Sequence, residues 1–177
     1  GLDLVVRGKK EASVIEADVV LLAAGREPVT DNLGLADMGI ELDPGGFIKT
    51  DGNFKTNRAG IYAIGDVIGS MMLAHVASEE GIAAVEHMAG KDRTVAYASV
   101  PQCIFTLPEA ASVGMSEEEA RRQGLEYKAG KYLMAANSKA MTMGETDGMV
   151  KILADQEERI IGVHIIGPHA SDLILEG

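Results

Sequence analysis

An aspartate at the end of an apolar run, a few residues before a long helix, is the position in this chain best suited to chemistry. Ile61-Tyr62-Ala63-Ile64-Gly65-Asp66-Val67 reads as a short buried strand that delivers one carboxylate to its carboxyl end. Ile68-Gly69-Ser70 then supplies a turn, and Met72-Leu73-Ala74-His75 opens a helix. Strand ends and helix amino-termini converge where open α/β sheets bind their ligands. As a carboxylate, Asp66 can accept hydrogen bonds from sugar-type hydroxyls. The N–H groups of a first helical turn lack intrahelical partners, and the macrodipole adds partial positive charge beside them. The backbone of Met72, Leu73, Ala74 and His75 therefore suits an anionic or electron-rich group, so apolar side chains suffice there. A Gly-Asp pair by itself is more often a simple turn; the buried strand before it and the helix after it are what point to a ligand.

Other candidates carry less. Gly25-Arg26-Glu27-Pro28 follows an apolar strand, so Gly25 sits where backbone could approach a ligand closely, although a plain strand-ending turn explains it equally well. The lone Cys103, in Gln102-Cys103-Ile104-Phe105, reads as a small buried hydrophobe. One cysteine excludes a disulfide within the chain and a cysteine-based zinc site. The four histidines show no HExxH or other ligand spacing; His75 and His87 lie about 120° apart around a helix. We expect no metal, and we assign no catalytic residue. The formal net charge of −11 repels phosphate backbones, which excludes nucleic acid as a natural partner. Glu117-Glu118-Glu119 and the run 155–158 read as solvated acidic faces. No stretch approaches the roughly 18 apolar residues of a membrane span, and no basic, apolar signal segment is present. The default expectation is a soluble cytoplasmic protein without membrane contact.

The elements that must position these residues fall into two groups. The first holds strand candidates at Leu2 to Val6 and Ala17 to Ala24, the latter containing the continuous run Val19-Val20-Leu21-Leu22 expected of a doubly covered strand. A short helix is expected at about Asn32 to Met38, stopped by Gly39, then a turn at Asp43-Pro44-Gly45-Gly46 and a strand at Phe47-Ile48-Lys49-Thr50. The longest helix runs from Met72 to about Ala89, with Leu73, Val76, Ala77, Gly81, Ala84, Val85 and Met88 on one face. Gly81 on that face predicts a close packing contact. Past Gly90 the chain changes to short strands: Val100 to Phe105, Ala111 to Gly114, Tyr127 to Met134, Met149 to Leu153 and Ile160 to Ile166, the last two an antiparallel pair. One helix interrupts them, with the capping-box spacing at Ser116 to Glu119 and a stop at Gly124. A sheet with helices on one side gives an α+β second domain after an α/β first domain. The strand-like opening at Gly1 and the helix start at Ser171 or Asp172 read as cuts in a longer chain.

The Ile61–Val67 segment and the Met72–His75 quartet resemble the second flavin-binding signature of the pyridine nucleotide-disulfide oxidoreductases. A flavin carries both the hydroxyls and the electron-rich group required above. The resemblance covers nearly the whole chain. It implies the end of an NAD-binding domain at 1–25, part of an FAD-binding Rossmann-like domain at 26–93, and a truncated α+β dimerisation (interface) domain at 94–177. It implies FAD on Asp66, Met72, Leu73, Ala74 and His75, with Gly25 near the nicotinamide of NAD. Within the family, Ala135 to Ala140, Thr146 to Leu153 and Ile161 to Pro168 resemble dihydrolipoamide dehydrogenases more than glutathione or mercuric reductases. The implied parent is a homodimer, paired through its C-terminal domain, that oxidises dihydrolipoamide on a lipoyl carrier and reduces NAD. Val29 stands where the family commonly has Asn, and Pro168-His169-Ala170-Ser171 departs from the usual glycine-rich form. The redox cysteine pair and a GxGxxG turn are absent from these residues, and the family's acid–base His with its Glu lies further on than Gly177. The chain alone is therefore expected to be inactive. The alternatives are another flavoprotein disulfide reductase, of mercuric reductase or soluble transhydrogenase type, or a module that only dimerises.

Overall fold

The computed structural model describes residues 1–8 and 12–177; residues 9–11, within the segment assigned to the first domain's end, lie outside the described residues. The chain divides into two compact units, Gly1–Val85 and Glu86–Gly177.

In the first unit, β1 (Leu2–Arg7) pairs antiparallel with β2 (Ala12–Ala17), Leu2 opposite Ala17 and Arg7 opposite Ala12. The second strand thus ends where the sequence reading had it begin. Val19-Val20-Leu21-Leu22 forms no strand, and Val19, Leu21 and Leu22 are 82%, 87% and 87% exposed. A central strand needs hydrogen-bonding neighbours on both edges, and no strand among the described residues lies beside this run.

The expected helix at Asn32 to Met38 is a series of turns. Asn32 and Gly34 take left-handed φ values of 60° and 69°, which interrupts a helix at its first turn. Gly39 does adopt the left-handed form expected of a stop, at φ 65°. The Phe47 and Ile61 segments are likewise not full strands: each makes one isolated bridge, Leu42 with Ile48 and Lys55 with Tyr62. Their burial is nonetheless as patterned, because Ile40, Ile48 and Ala63 form a small core flanked by Leu35, Ile61, Val67 and Ile68. Asp66 lies in a short 3-10 segment, Gly65–Ile68, at the end of this stretch.

The long helix α1 spans Ala74–Met88. Its buried residues are Val76, Glu80, Ala83 and Ala84, whereas Val85 and Met88 are 62% and 55% exposed. The covered stripe is therefore rotated towards Glu80 from the face read off the apolar residues. Gly81 does mark a close contact, since a Cβ there would stand 3.2 Å from the Ile64 Cδ1.

The second unit is built on a five-stranded antiparallel sheet of order β3-β4-β7-β6-β5. Its strands are β3 (Gln102–Ile104), β4 (Glu109–Gly114), β5 (Lys128–Leu133), β6 (Met149–Ala154) and β7 (Ile160–Gly167). The expected hairpin is present as the β6–β7 pair, with Val150 opposite Ile165 and Ile152 opposite Val163. Alternation along β7 sends Val163 and Ile165 to one face. There they join Ala111, Met134, Ala140, Ala170 and Ile174 in the core, with the half-buried Cys103 packed against it. Ala140 belongs to α3 (Ser138–Met143) and Ala170 to α4 (Ala170–Leu173). Lys151 and His164, paired across β6 and β7, occupy the other face. Lys151 Nζ donates to Glu117 Oε1 at 3.0 Å, and the His164 Nε2 lies 3.0 Å from the Met115 carbonyl. The helix α2 (Glu117–Arg122) thus covers a second face, so helices flank the sheet on both sides and not on one. The reason is that Leu153, on that face, is also apolar and fully buried.

The capping box forms as its spacing demands. The Glu119 backbone N–H donates to Ser116 Oγ at 3.2 Å, and the Ser116 N–H donates to Glu119 Oε2 at 2.8 Å. Ser116→Ala should lower the urea stability of the second unit by about 1 kcal/mol. The Ser116 N–H and hydroxyl hold the Glu119 carboxyl below its ordinary 4.5. A depressed carboxyl contributes stability above its unfolded value and loses it as pH falls through the folded value. The stability gap between wild type and Glu119→Ala should therefore be full at neutral pH and close as urea titrations are taken progressively below pH 4.5.

Candidate functional site

The residues singled out from the sequence gather in the first unit around one guanidinium. Arg26 Nη1 donates to Asp66 Oδ2 at 3.0 Å and to the Met72 carbonyl oxygen at 2.7 Å. A single nitrogen touches both, so the carboxylate and the segment leading into α1 lie side by side. Met72 and Leu73 precede the helix proper, which opens at Ala74 and His75. The Leu73 N–H is used locally, donating to the Met71 carbonyl at 2.8 Å. The N–H groups of Ala74 and Val76 fall in the first turn, where no carbonyl one turn earlier belongs to the helix. Gly25, directly before Arg26, is exposed at φ 131° with open space on the side a Cβ would occupy.

Both Arg26 and Asp66 are solvated, their side chains 60% and 55% exposed. An exposed pair of this kind contributes little to stability, because water competes for both charges. The carboxylate is thus accessible, and its present partner is easily exchanged for another donor. An exposed carboxylate beside a helix start can accept hydrogen bonds from hydroxyls, while the partial positive charge of the first turn favours an electron-rich group. Among the described residues, no three His, Cys, Asp or Glu side chains gather as a metal site.

Two residues of this site were not assigned roles from the sequence. In the sequence Arg26 is only part of a turn. Glu80 lies one turn from both Val76 and Ala84 on the buried stripe of α1. A charged residue in an apolar stripe is itself the signal. Glu80 is 0% exposed; it accepts the Gly65 N–H on Oε2 at 2.6 Å and the Ser70 hydroxyl on Oε1 at 2.7 Å. Both contacts lead to the turn that carries Asp66.

Comparison with known proteins gives the family. Residues 2–81 match the pyridine nucleotide-disulphide oxidoreductase family, and residues 100–177 match its dimerisation domain. The chain belongs to the pyridine nucleotide-disulphide oxidoreductases. It is 51% identical over 167 residues to the human mitochondrial dihydrolipoyl dehydrogenase, covering 94% of this chain and 33% of that protein. It is 49% identical over 179 residues to the mitochondrial dihydrolipoyl dehydrogenase 2 of Arabidopsis thaliana, covering 99% and 35%. The chain therefore spans about a third of the length of these relatives. Among solved structures, it superposes on LpdA of Mycobacterium tuberculosis with a TM-score of 0.82 at 30% identity, over 97% of this chain and 39% of that one. The HOCl-induced flavoprotein disulfide reductase RclA of Escherichia coli gives 0.84 at 26% identity, over 98% and 40%.

The expectation of a cytoplasmic protein is overturned by the dihydrolipoyl dehydrogenase relatives, which are named as mitochondrial enzymes. It rested on a single cysteine and the lack of apolar spans, and neither distinguishes one reducing compartment from another. Among the described residues, no helix is long and apolar enough to cross a membrane.

Because the Arg26–Asp66 pair is exposed, Arg26→Ala should change the folding free energy by less than about 1 kcal/mol. Thermal unfolding of the two proteins side by side measures this, and a larger loss would mean that Arg26 also anchors the fold.

Proposed function

We propose that this chain is the part of an FAD-dependent dihydrolipoamide dehydrogenase that holds one side of the flavin site and most of the interface domain. The observation that carries the reading is the single Arg26 nitrogen shared by Asp66 and the Met72 carbonyl, in a chain half-identical to dihydrolipoyl dehydrogenases. In this reading residues 1–25 end the NAD-binding domain, 26–93 belong to the FAD-binding domain, and 94–177 form the dimerisation domain. Asp66 accepts hydrogen bonds from the ribityl hydroxyls of FAD. The helix start at Met72, Leu73, Ala74 and His75 would favour negative charge on the electron-rich part of the flavin through its first-turn dipoles. Gly25 leaves room for the nicotinamide. Held by Asp66 and the Met72–His75 helix start, a bound FAD would supply the two-electron relay between the dithiol–disulfide chemistry of the whole enzyme and NAD. The protein works as a homodimer through its C-terminal domain. The match of residues 100–177 to the dimerisation domain supports this, as do the exposed apolar side chains of Phe105 and Leu107.

These residues alone do not complete the reaction. A reactive cysteine pair is required, and the chain has one cysteine. Both pyrophosphates need a glycine-rich strand–helix turn that the sequence does not contain. The chain should therefore show no dihydrolipoamide-dependent NAD reduction. Incubated with FAD and passed through gel filtration, it should elute colourless and as a dimer. At equilibrium, sub-millimolar protein should still quench FAD fluorescence saturably, and Asp66→Ala should abolish the quenching. Quenching that Asp66→Ala leaves intact would overturn the assignment of Asp66, and near-stoichiometric flavin after filtration would overturn the view of the site as partial.

A further inference from the structure

We propose that Glu80 is a positioning residue of the flavin site, setting the geometry of the turn that presents Asp66. The inference rests on the flavin reading of Asp66 above and extends it to a residue that would not touch the flavin itself.

Glu80 is fully buried, and its two oxygens are divided between the two ends of one turn. Oε2 accepts from the Gly65 N–H at 2.6 Å, immediately before Asp66. Oε1 accepts from the Ser70 hydroxyl at 2.7 Å, where the turn leaves for the helix. The short 3-10 segment Gly65–Ile68 is thus held at its start, and the chain is held again two residues beyond its end. The same helix supplies the floor beneath. A Cβ on Gly65 would stand 3.1 Å from the Ala77 Cβ, and one on Gly81 would stand 3.2 Å from Ile64 Cδ1. Residues 77, 80 and 81 share one face of α1, so the small residues Ala77 and Gly81 let the helix pack closely on Ile64 and Gly65 while Glu80 reaches the Gly65 N–H. Gly65 has φ 73°, which turns its N–H into this contact and which side-chain-bearing residues rarely adopt.

The chemistry explains why an acid occupies this place. Gly65 N–H can only donate, and once buried it must meet an acceptor or suffer the full desolvation penalty. The Ser70 hydroxyl can donate or accept. A carboxylate satisfies both as donors. Glutamine also can, with its carbonyl oxygen towards Gly65 and its amide N–H towards the Ser70 oxygen. Leucine fills similar space and satisfies neither. Glu80 thereby ties the helix start to the carboxylate, so that both halves of the site share one reference frame.

The test compares wild type, Glu80→Leu, Glu80→Gln and Ser70→Ala, with Asp66→Ala as the control for the flavin reading. Two quantities are measured: FAD affinity by fluorescence quenching, and amide hydrogen exchange residue by residue. Glu80→Leu should weaken FAD binding about tenfold and speed exchange at Gly65 and Gly69 by a similar factor, the size expected when a buried charged acceptor is removed. Exchange in the centre of α1 should stay unchanged. Glu80→Gln should restore both quantities, and Ser70→Ala should give a smaller loss of affinity, as one end of the turn is released. Unchanged affinity in a folded Glu80→Leu, or accelerated exchange spread evenly over the first unit, would overturn the proposal. If Glu80→Leu does not fold, Ser70→Ala decides in its place: weaker FAD binding in a folded protein supports the clamp, and wild-type affinity overturns it. Failure of the flavin reading is separately visible as quenching insensitive to Asp66→Ala, while exchange at Gly65 still reports whether Glu80 holds the turn.

Discussion

The close seat of α1 on Ile64 and Gly65 is the constraint around which the first unit's site is organised. A helix can approach a backbone segment this nearly only where side chains are small, and Ala77, Gly81 and Gly65 provide that on both surfaces. The contact buries the Gly65 N–H, and Glu80 accepts its hydrogen bond from within the same helix. Packing and hydrogen bonding therefore agree on a single placement of the turn. The turn's other side carries the exposed Asp66, and its exit leads to the helix start.

The second unit solves a different problem. Its sheet has apolar residues on both faces, Val163 and Ile165 on one and Leu153 on the other, so each face needs cover. Antiparallel sheets with a single buried face alternate cleanly between apolar and polar. Here Lys151 and His164 interrupt the second face, and each is satisfied by the segment around α2, through Glu117 and the Met115 carbonyl. The α2 segment thus covers apolar surface and provides polar partners at once. Its own start is fixed by the capping box, so the covering element does not depend on the sheet alone for its shape.

How legible these features were in the sequence depends on how local their causes are. The capping box at Ser116 and Glu119, the β6–β7 hairpin and the close contact at Gly81 all follow from spacings of a few residues, and each is present. Val19 to Leu22 is the opposite case. Its apolar run describes a strand with two neighbours, but neighbours are a property of the sheet and not of the run. The same holds for Ile61 to Ile64, whose burial was readable and whose pairing was not; a single bridge at Tyr62 replaces the expected ladder. Asn32 shows how one left-handed residue undoes a helical pattern that composition alone supports. Asp66 stands out in the sequence as a candidate because an acid after an apolar run is locally anomalous. Glu80 was equally anomalous, an acid inside an apolar stripe, but its meaning appears only once the Gly65 N–H is seen to face it. Arg26 could not be read from spacing at all, because its contacts lie 40 and 46 positions along the chain.

The charge around Asp66 follows from these placements. The chain is strongly acidic overall, with a formal charge of −11, which at first sight opposes an anionic ligand such as a dinucleotide. Screening limits that effect to groups within about 10 Å at 0.1 M salt, so the local arrangement outweighs the total. At the site itself Asp66 is offset by Arg26, the first turn of α1 adds partial positive charge, and Glu80 is buried. The buried acid one layer back accepts from the Gly65 N–H and the Ser70 hydroxyl. An exposed acid in front, held only by a solvated ion pair, can exchange that partner for hydroxyl donors at small cost. Two carboxylates near one turn thus have separate tasks because one is buried by the helix and the other is left in water.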